Sequence, residues 1–159
     1  MKFGDIALMK RTRTLPATWL VGRKTRLRPL ETADVPMLKR FGLSVDPAAS
    51  GFIVQTLDGA DIGAVGLLIE GPHASVTVAF DHATRFSDGS ARDALQVMCT
   101  GAFRSAPLER LEALVEARNA AAVRAYQRAG FKREGLLRQG LRTHAGYRDA
   151  IVLSIIRHG

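Results

Sequence analysis

Asn119 and Tyr126 stand seven residues apart in the stretch EALVEARNAAAVRAYQRAGF, residues 112–131. On an α-helix of 3.6 residues per turn they share one face, about 10 Å apart. That separation suits one side chain holding an extended ligand while the other reaches a reacting atom farther along it. Just upstream, Glu112 and Glu116 fall on the same face of an apolar strand, where either carboxylate could take a proton directly or through water. Asp149 and His82 are weaker candidates for that task. Each chemical reading has a structural counterpart. Asn119 is a favoured N-cap for a helix starting there, and Tyr126 could be an aromatic packed against a sheet. His73, His144 and His158 lie in turns or at the terminus without metal-ligand spacing, so no metal is expected. The single cysteine, Cys99, excludes an internal disulfide and reads as a small buried hydrophobe within a helix, away from the cleft.

These side chains need a scaffold, and the apolar patterning supplies one. The alternation in TRLRPL, from Thr25, predicts a strand, and ETADVPMLKRFGL a helix with Thr32 as its N-cap. GFIVQTL and IGAVGLLIE flank Asp58-Gly59, a hairpin signal, and SVTVAF after Gly71-Pro72 reads as a third strand. A loop from Asp81 to Asp88 leads to a helix over about 89–105, stopped near Pro107. A strand around 111–115, a helix over 119–129 and two strands, about 131–137 and 147–156, complete the chain. Helices interleaved with strands predict a single α/β (α+β) domain, its mixed and mostly antiparallel central sheet flanked by helices.

The 159 residues are enough for one domain that buries about 70% of its unfolded surface. Residues 25–159 are expected to form it, with residues 1–24 an N-terminal arm or edge strand. No apolar run reaches the roughly 18 residues of a membrane span. Charges at Asp5, Lys10, Arg11 and Arg13 interrupt any signal-peptide h-region, which makes the cytoplasm the expected location. The net charge of +8 is spread along the chain and favours polyanionic partners or simply a solvated surface.

The pattern N-x-x-A-x-x-x-Y-x-x-x-G-F from Asn119 to Phe131 resembles the second half of GNAT-type N-acetyltransferases. RLRPLETADVPMLKRF, DGADIGAVGLLIE and GYRDAIVLSIIR resemble segments of the subgroup similar to ribosomal-protein and spermidine N-acetyltransferases. The resemblance implies a GNAT-like fold and acetyl transfer from acetyl-CoA, as cosubstrate, to a primary amine of a peptide N-terminus or small molecule. It implies that Tyr126 gives a proton to the departing thiolate and that a backbone N–H of the SVTVAF strand steadies the oxyanion. Cofactor contacts are then expected from Phe80, from the loop Arg85, Phe86, Ser87, Asp88, Gly89, Ser90 and Ala91, and from Asn119; the general base is not assigned by the resemblance, Glu116 and Glu112 being the strand candidates. The basic set Arg118, Arg124, Arg128, Lys132 and Arg133 either meets the cofactor's 3′-phosphate or is a solvated helix face.

The loop RFSDGSA departs from the family's Q/R-x-x-G-x-G/A. Arg85 stands four residues before Gly89 instead of three, one usual glycine is missing, and Asp88 brings a negative charge toward the expected pyrophosphate. Like charges a few ångströms apart cost on the order of 1 to 4 kcal/mol, unless Asp88 or Ser87 instead caps the following helix. The alternatives are a GNAT-like CoA-binding or regulatory module without catalysis and, behind it, a nucleic-acid-associated protein, disfavoured by the absence of an aromatic platform. No membrane partner is expected, and a homodimer is compatible with the sequence.

Overall fold

The computed structural model describes residues 20–41, 43 and 51–157. Eight strands form one sheet in the order β1-β2-β3-β4-β5-β6-β8-β7. They are β1 (Leu20–Val21), β2 (Thr25–Pro29), β3 (Gly51–Thr56), β4 (Asp61–Glu70), β5 (His73–Phe80), β6 (Arg110–Glu116), β7 (Lys132–Thr143) and β8 (Gly146–Ile156). Three helices accompany them: α1 (Val35–Arg40), α2 (Ser90–Ser105) and α3 (Ala120–Arg128). Every neighbouring pair is antiparallel except β5 and β6, which are parallel and are joined through α2, as a parallel pair requires a long crossover.

Helix α2 forms because its apolar positions recur at helical spacing. Ala91, Ala94, Leu95, Met98, Cys99 and Ala102 make one buried stripe. With Ala122, Val123 and Tyr126 of α3 they pack on Leu27, Val54, Leu67, Leu111 and Leu153 of the sheet in one core. At the far end of α2 the Arg157 guanidinium donates to the carbonyls of Phe103, Ala106 and Leu108 at 2.6–2.9 Å, a cation placed where the helix dipole is negative. On the other face of the sheet, among the described residues, Leu38 of α1 packs with Ile53 and Ala64 over the first half.

Two expectations change. The first helix is a 3-10 turn, Thr32–Asp34, followed by the short α1, and Glu31 rather than Thr32 holds the N-cap position. Asp34 decides this: its carboxylate accepts the Glu31 amide at 2.8 Å and takes Arg28 bidentately at 2.7 and 2.8 Å. Strand β7 continues to Thr143 instead of stopping near Leu137. It does so through a bulge, in which Gln139 has φ +51 and its amide donates to Asp149, so apolar alternation is lost where the strand persists. Leu20–Val21 pairs with β2 as an edge strand, while the rest of the Pro16–Val21 segment lies outside the described residues.

Candidate active site

The parallel pair creates an opening. Strands β5 and β6 are joined only at His73–Arg110, Ala74–Leu111 and Ser75–Glu112. Beyond these positions β5 runs on to Phe80 and β6 to Glu116 with no pairing between them, so the inner edge of β5 presents backbone groups to the gap. Because the strands are parallel, both chains leave the sheet at this open end. One enters α2 and the other α3, so two helix N-termini flank one cleft.

The connection into α2 is a 3-10 turn over Ala83–Phe86, then Ser87, Asp88 and Gly89. Phe80 and Phe86 meet edge to face at 5.4 Å and rest on the core. Gly89 has φ +92, a conformation glycine adopts without strain. Asp88 caps the helix: its Oδ1 accepts the Ser90 amide at 2.8 Å. Burial opposes its ionisation, but hydrogen bonds from Ser90 and the Arg85 charge outweigh burial and hold the carboxyl below its usual range. Arg85 itself is bound to Asp81 at 2.9 Å and leans on Asp88 at 3.5 Å. The amides of Gly89, Ala91 and Arg92 have no acceptor among the described residues, as expected for a first turn without intrahelical partners.

At the second N-terminus, Asn119 Oδ1 accepts the Ala122 amide at 3.1 Å. It is therefore the N-cap of α3, and its exposed NH2 remains available to a ligand. Helix α3 ends in a Schellman closure. The Phe131 amide donates to the Tyr126 carbonyl, and that of Gly130, at φ +110, to Gln127. This turn brings Phe131 edge-on to the Tyr126 ring at 5.2 Å. The ring is buried, yet its hydroxyl has no partner among the described residues. No fully buried side-chain oxygen is left unpaired among the described residues, so the hydroxyl is the point where Tyr126 meets solvent. Burial, and to a lesser degree the neighbouring Cys99 thiol, raise its pKa above the usual phenol value. Cys99 thus borders this side chain rather than lying apart from it. Its thiol is pushed up to about 12 by burial.

An opening between parting parallel strands, each of which leads into a helix at that end, can be compared with known proteins. A family model described as an acetyltransferase (GNAT) domain matches residues 28–132, well over half of the chain. The chain belongs to the GNAT acetyltransferase family. No functionally curated protein matches it by sequence. Solved structures share its fold at low identity. Mycobacterium smegmatis RimJ in complex with CoA-disulfide is 19% identical, with TM-score 0.74 over 91% of this chain and 90% of that one. A GNAT-family acetyltransferase from Bacillus anthracis is 16% identical, with TM-score 0.73 over 87% and 98%. A chimera of spermidine N-acetyltransferase SpeG from Vibrio cholerae and hSSAT is 21% identical, with TM-score 0.72 over 84% and 96%. Acetyl-CoA is the cosubstrate of this family.

Within the GNAT fold the sheet separates the remaining candidates. Leu111, Ala113 and Val115 of β6 face α2 and α3, so Glu112, Leu114 and Glu116 face the opposite side, which no helix among the described residues covers there. Tyr126 and Glu116 therefore lie on opposite faces of the sheet, on either side of the opening. Glu116 is half-buried, with Arg148 Nε at 4.0 Å. Glu112 is tied to Arg110 at 2.6 Å, and Arg110 also binds Glu134. Asp149 holds the β7 bulge, and His82 is exposed at 4.0 Å from Asp81. A wide-mouthed cleft of about 420 Å³ sits at the C-terminus of α2, remote from these groups, with Arg157 on its wall.

Sequence reasoning missed the segment Arg23–Thr25. Asp93, in the first turn of α2, accepts the amides of Arg23, Lys24 and Thr25 and the Thr25 hydroxyl at 2.7–3.0 Å. An acid in a helix's first turn was the available signal, but nothing in the sequence named partners some 70 positions away.

Proposed function

We propose that this chain moves an acetyl group from acetyl-CoA to a primary amine, of a peptide N-terminus or a small molecule, by direct transfer. The observation that carries this reading is the Tyr126 hydroxyl, unbonded among the described residues, on the helix that follows β6 from the end where β5 and β6 part. The residues present fit the cosubstrate. Its pyrophosphate suits the free amides of Gly89, Ala91 and Arg92, and the Asn119 NH2 can orient the pantetheine arm. Acetyl-CoA supplies a thioester open to attack by an amine, with a thiolate as leaving group.

The protein's part is then positioning and proton handling. Tyr126, held protonated by its raised pKa, offers its proton from the helix side of the sheet. Glu116 stands on the uncovered face and can accept a proton from the incoming amine, directly or through water. A backbone N–H on the unpaired edge of β5 can steady negative charge developing on the acyl oxygen. The RimJ and spermidine acetyltransferase neighbours support an amine acceptor, and the +8 charge disfavours long-range attraction of polyamines, leaving a peptide N-terminus or an anionic amine as the favoured class.

Calorimetric titration with acetyl-CoA tests the reading. Saturable binding supports it, and no heat at millimolar acetyl-CoA would remove it. A GNAT module retaining binding alone would bind acetyl-CoA yet acetylate none of a panel of peptides and small amines.

A further inference from the structure

Resting on that reading of α2, we propose that Lys24, which lies outside the family's cofactor loop, is a ligand of the CoA pyrophosphate. Its Nζ is 2.6 Å from the Asp88 carbonyl oxygen. A Cβ placed on Gly89 would lie 3.3 Å from the same nitrogen. The ammonium thus sits against the turn that opens α2, beside the unbonded amides of Gly89, Ala91 and Arg92. One of its three protons is spent on the carbonyl and two remain.

The position is built rather than incidental. Asp93 fixes the Lys24 backbone through the amides on both sides as well as its own, and Thr25 is fully buried. A cation at the positive end of a helix opposes the dipole, and the only carboxylate in that turn besides Asp93, Asp88, is already capping Ser90 and facing Arg85. An anion seated on the free amides resolves this arrangement, because it meets the helix dipole and the ammonium together. It also accounts for Asp88, whose charge beside a pyrophosphate is offset by Arg85 on one side and Lys24 on the other.

Calorimetry with CoA and with dephospho-CoA, which keeps the pyrophosphate and lacks the 3′-phosphate, tests the assignment. Lys24→Met is expected to raise Kd for both by about 10- to 100-fold, as for a lost charge-assisted hydrogen bond. Lys24→Arg should recover part of the affinity. Arg23→Met removes the same charge from the adjacent exposed side chain, which has no partner among the described residues, and should leave both Kd values within about twofold. With an acetylated amine in hand, Lys24→Met should raise KM for acetyl-CoA and leave kcat at saturation unchanged. The Lys24 side chain is exposed, so the variant's thermal midpoint should match the wild type. Lys24→Met binding CoA as tightly as the wild type would overturn the assignment, as would a loss confined to CoA and absent with dephospho-CoA. Absence of CoA binding by the wild-type protein would instead overturn the acetyltransferase reading itself.

Discussion

Replacing Tyr126 with phenylalanine separates chemistry from packing more cleanly here than at most buried tyrosines. The hydroxyl makes no hydrogen bond among the described residues, so its removal orphans no buried partner there. The ring keeps its edge-to-face contact with Phe131 at 5.2 Å. Folding stability should therefore change by no more than about 0.5 kcal/mol, the range of a substitution that breaks no network. Loss of a positioned acid, by contrast, lowers turnover by about 100- to 10,000-fold. That corresponds to about 2.7 to 5.5 kcal/mol at the barrier. The assay is release of free CoA thiol with a disulfide reagent, using an amine that the wild type accepts from a panel of peptides and small amines. Cys99 does not interfere, being buried with its thiol pushed up to about 12. The expected result is a large fall in kcat with acetyl-CoA affinity and thermal midpoint preserved. A kcat within about threefold of wild type would refute the acid role, and parallel losses of affinity, turnover and stability would make Tyr126 a packing residue.

Asp34 carries an acid-side prediction. The Arg28 hydrogen bonds, working against burial, hold its pKa below the ordinary value. Its contribution is thus complete above the unfolded pKa of about 4 and is lost as pH falls through the lower folded value. Asp34→Asn should cost about 2 kcal/mol near neutrality, because Arg28 keeps only part of its bidentate partner, and thermal midpoints between about pH 4 and 2 should fall less steeply than in the wild type. Equal slopes in the two proteins would mean that the pair does not contribute. Gly130→Ala forces a Cβ into φ +110, 3.3 Å from Ile155 Cδ1, and should cost about 1 to 2 kcal/mol by chemical denaturation. An unchanged denaturation midpoint would show that the Schellman closure tolerates a side chain.

How legible the site was depended on sequence distance. The GF pair at 130–131 and the Asn119–Tyr126 spacing are local, and a single helix realises both, so the pattern carried its own geometry. The ladder of strands was equally readable where a continuous apolar run is bounded by turn residues, as in β3 and β4 on either side of Asp58-Gly59. It was not readable in β7 beyond Leu137, where most residues are exposed and a bulge breaks the alternation. Nor could the opposition of Tyr126 and Glu116 across the sheet be read from the sequence. That follows from which face of β6 packs against α2 and α3, a tertiary contact that the alternation of β6 does not name. Lys24 was silent for the same reason. A lysine in the run GRKT has no pattern of its own, and only the fold sets it on a turn 64 residues away.

Asp88 illustrates how a local departure acquires its meaning from the fold. Read alone, it replaces a residue that lets backbone amides approach a pyrophosphate, and it brings a repulsion of on the order of 1 to 4 kcal/mol. In the structure its Oδ1 removes only the Ser90 amide from the anion-binding set and leaves those of Gly89, Ala91 and Arg92. Its charge faces Arg85 at 3.5 Å, and its carbonyl holds the Lys24 ammonium in place over Gly89. The residue that seems to spoil the loop therefore also recruits the cation that offsets it. Side chain and carbonyl of one aspartate act in opposite electrostatic senses on the same site. The loop is altered in sequence, but the field it presents to an anion is restored by a residue the loop does not contain.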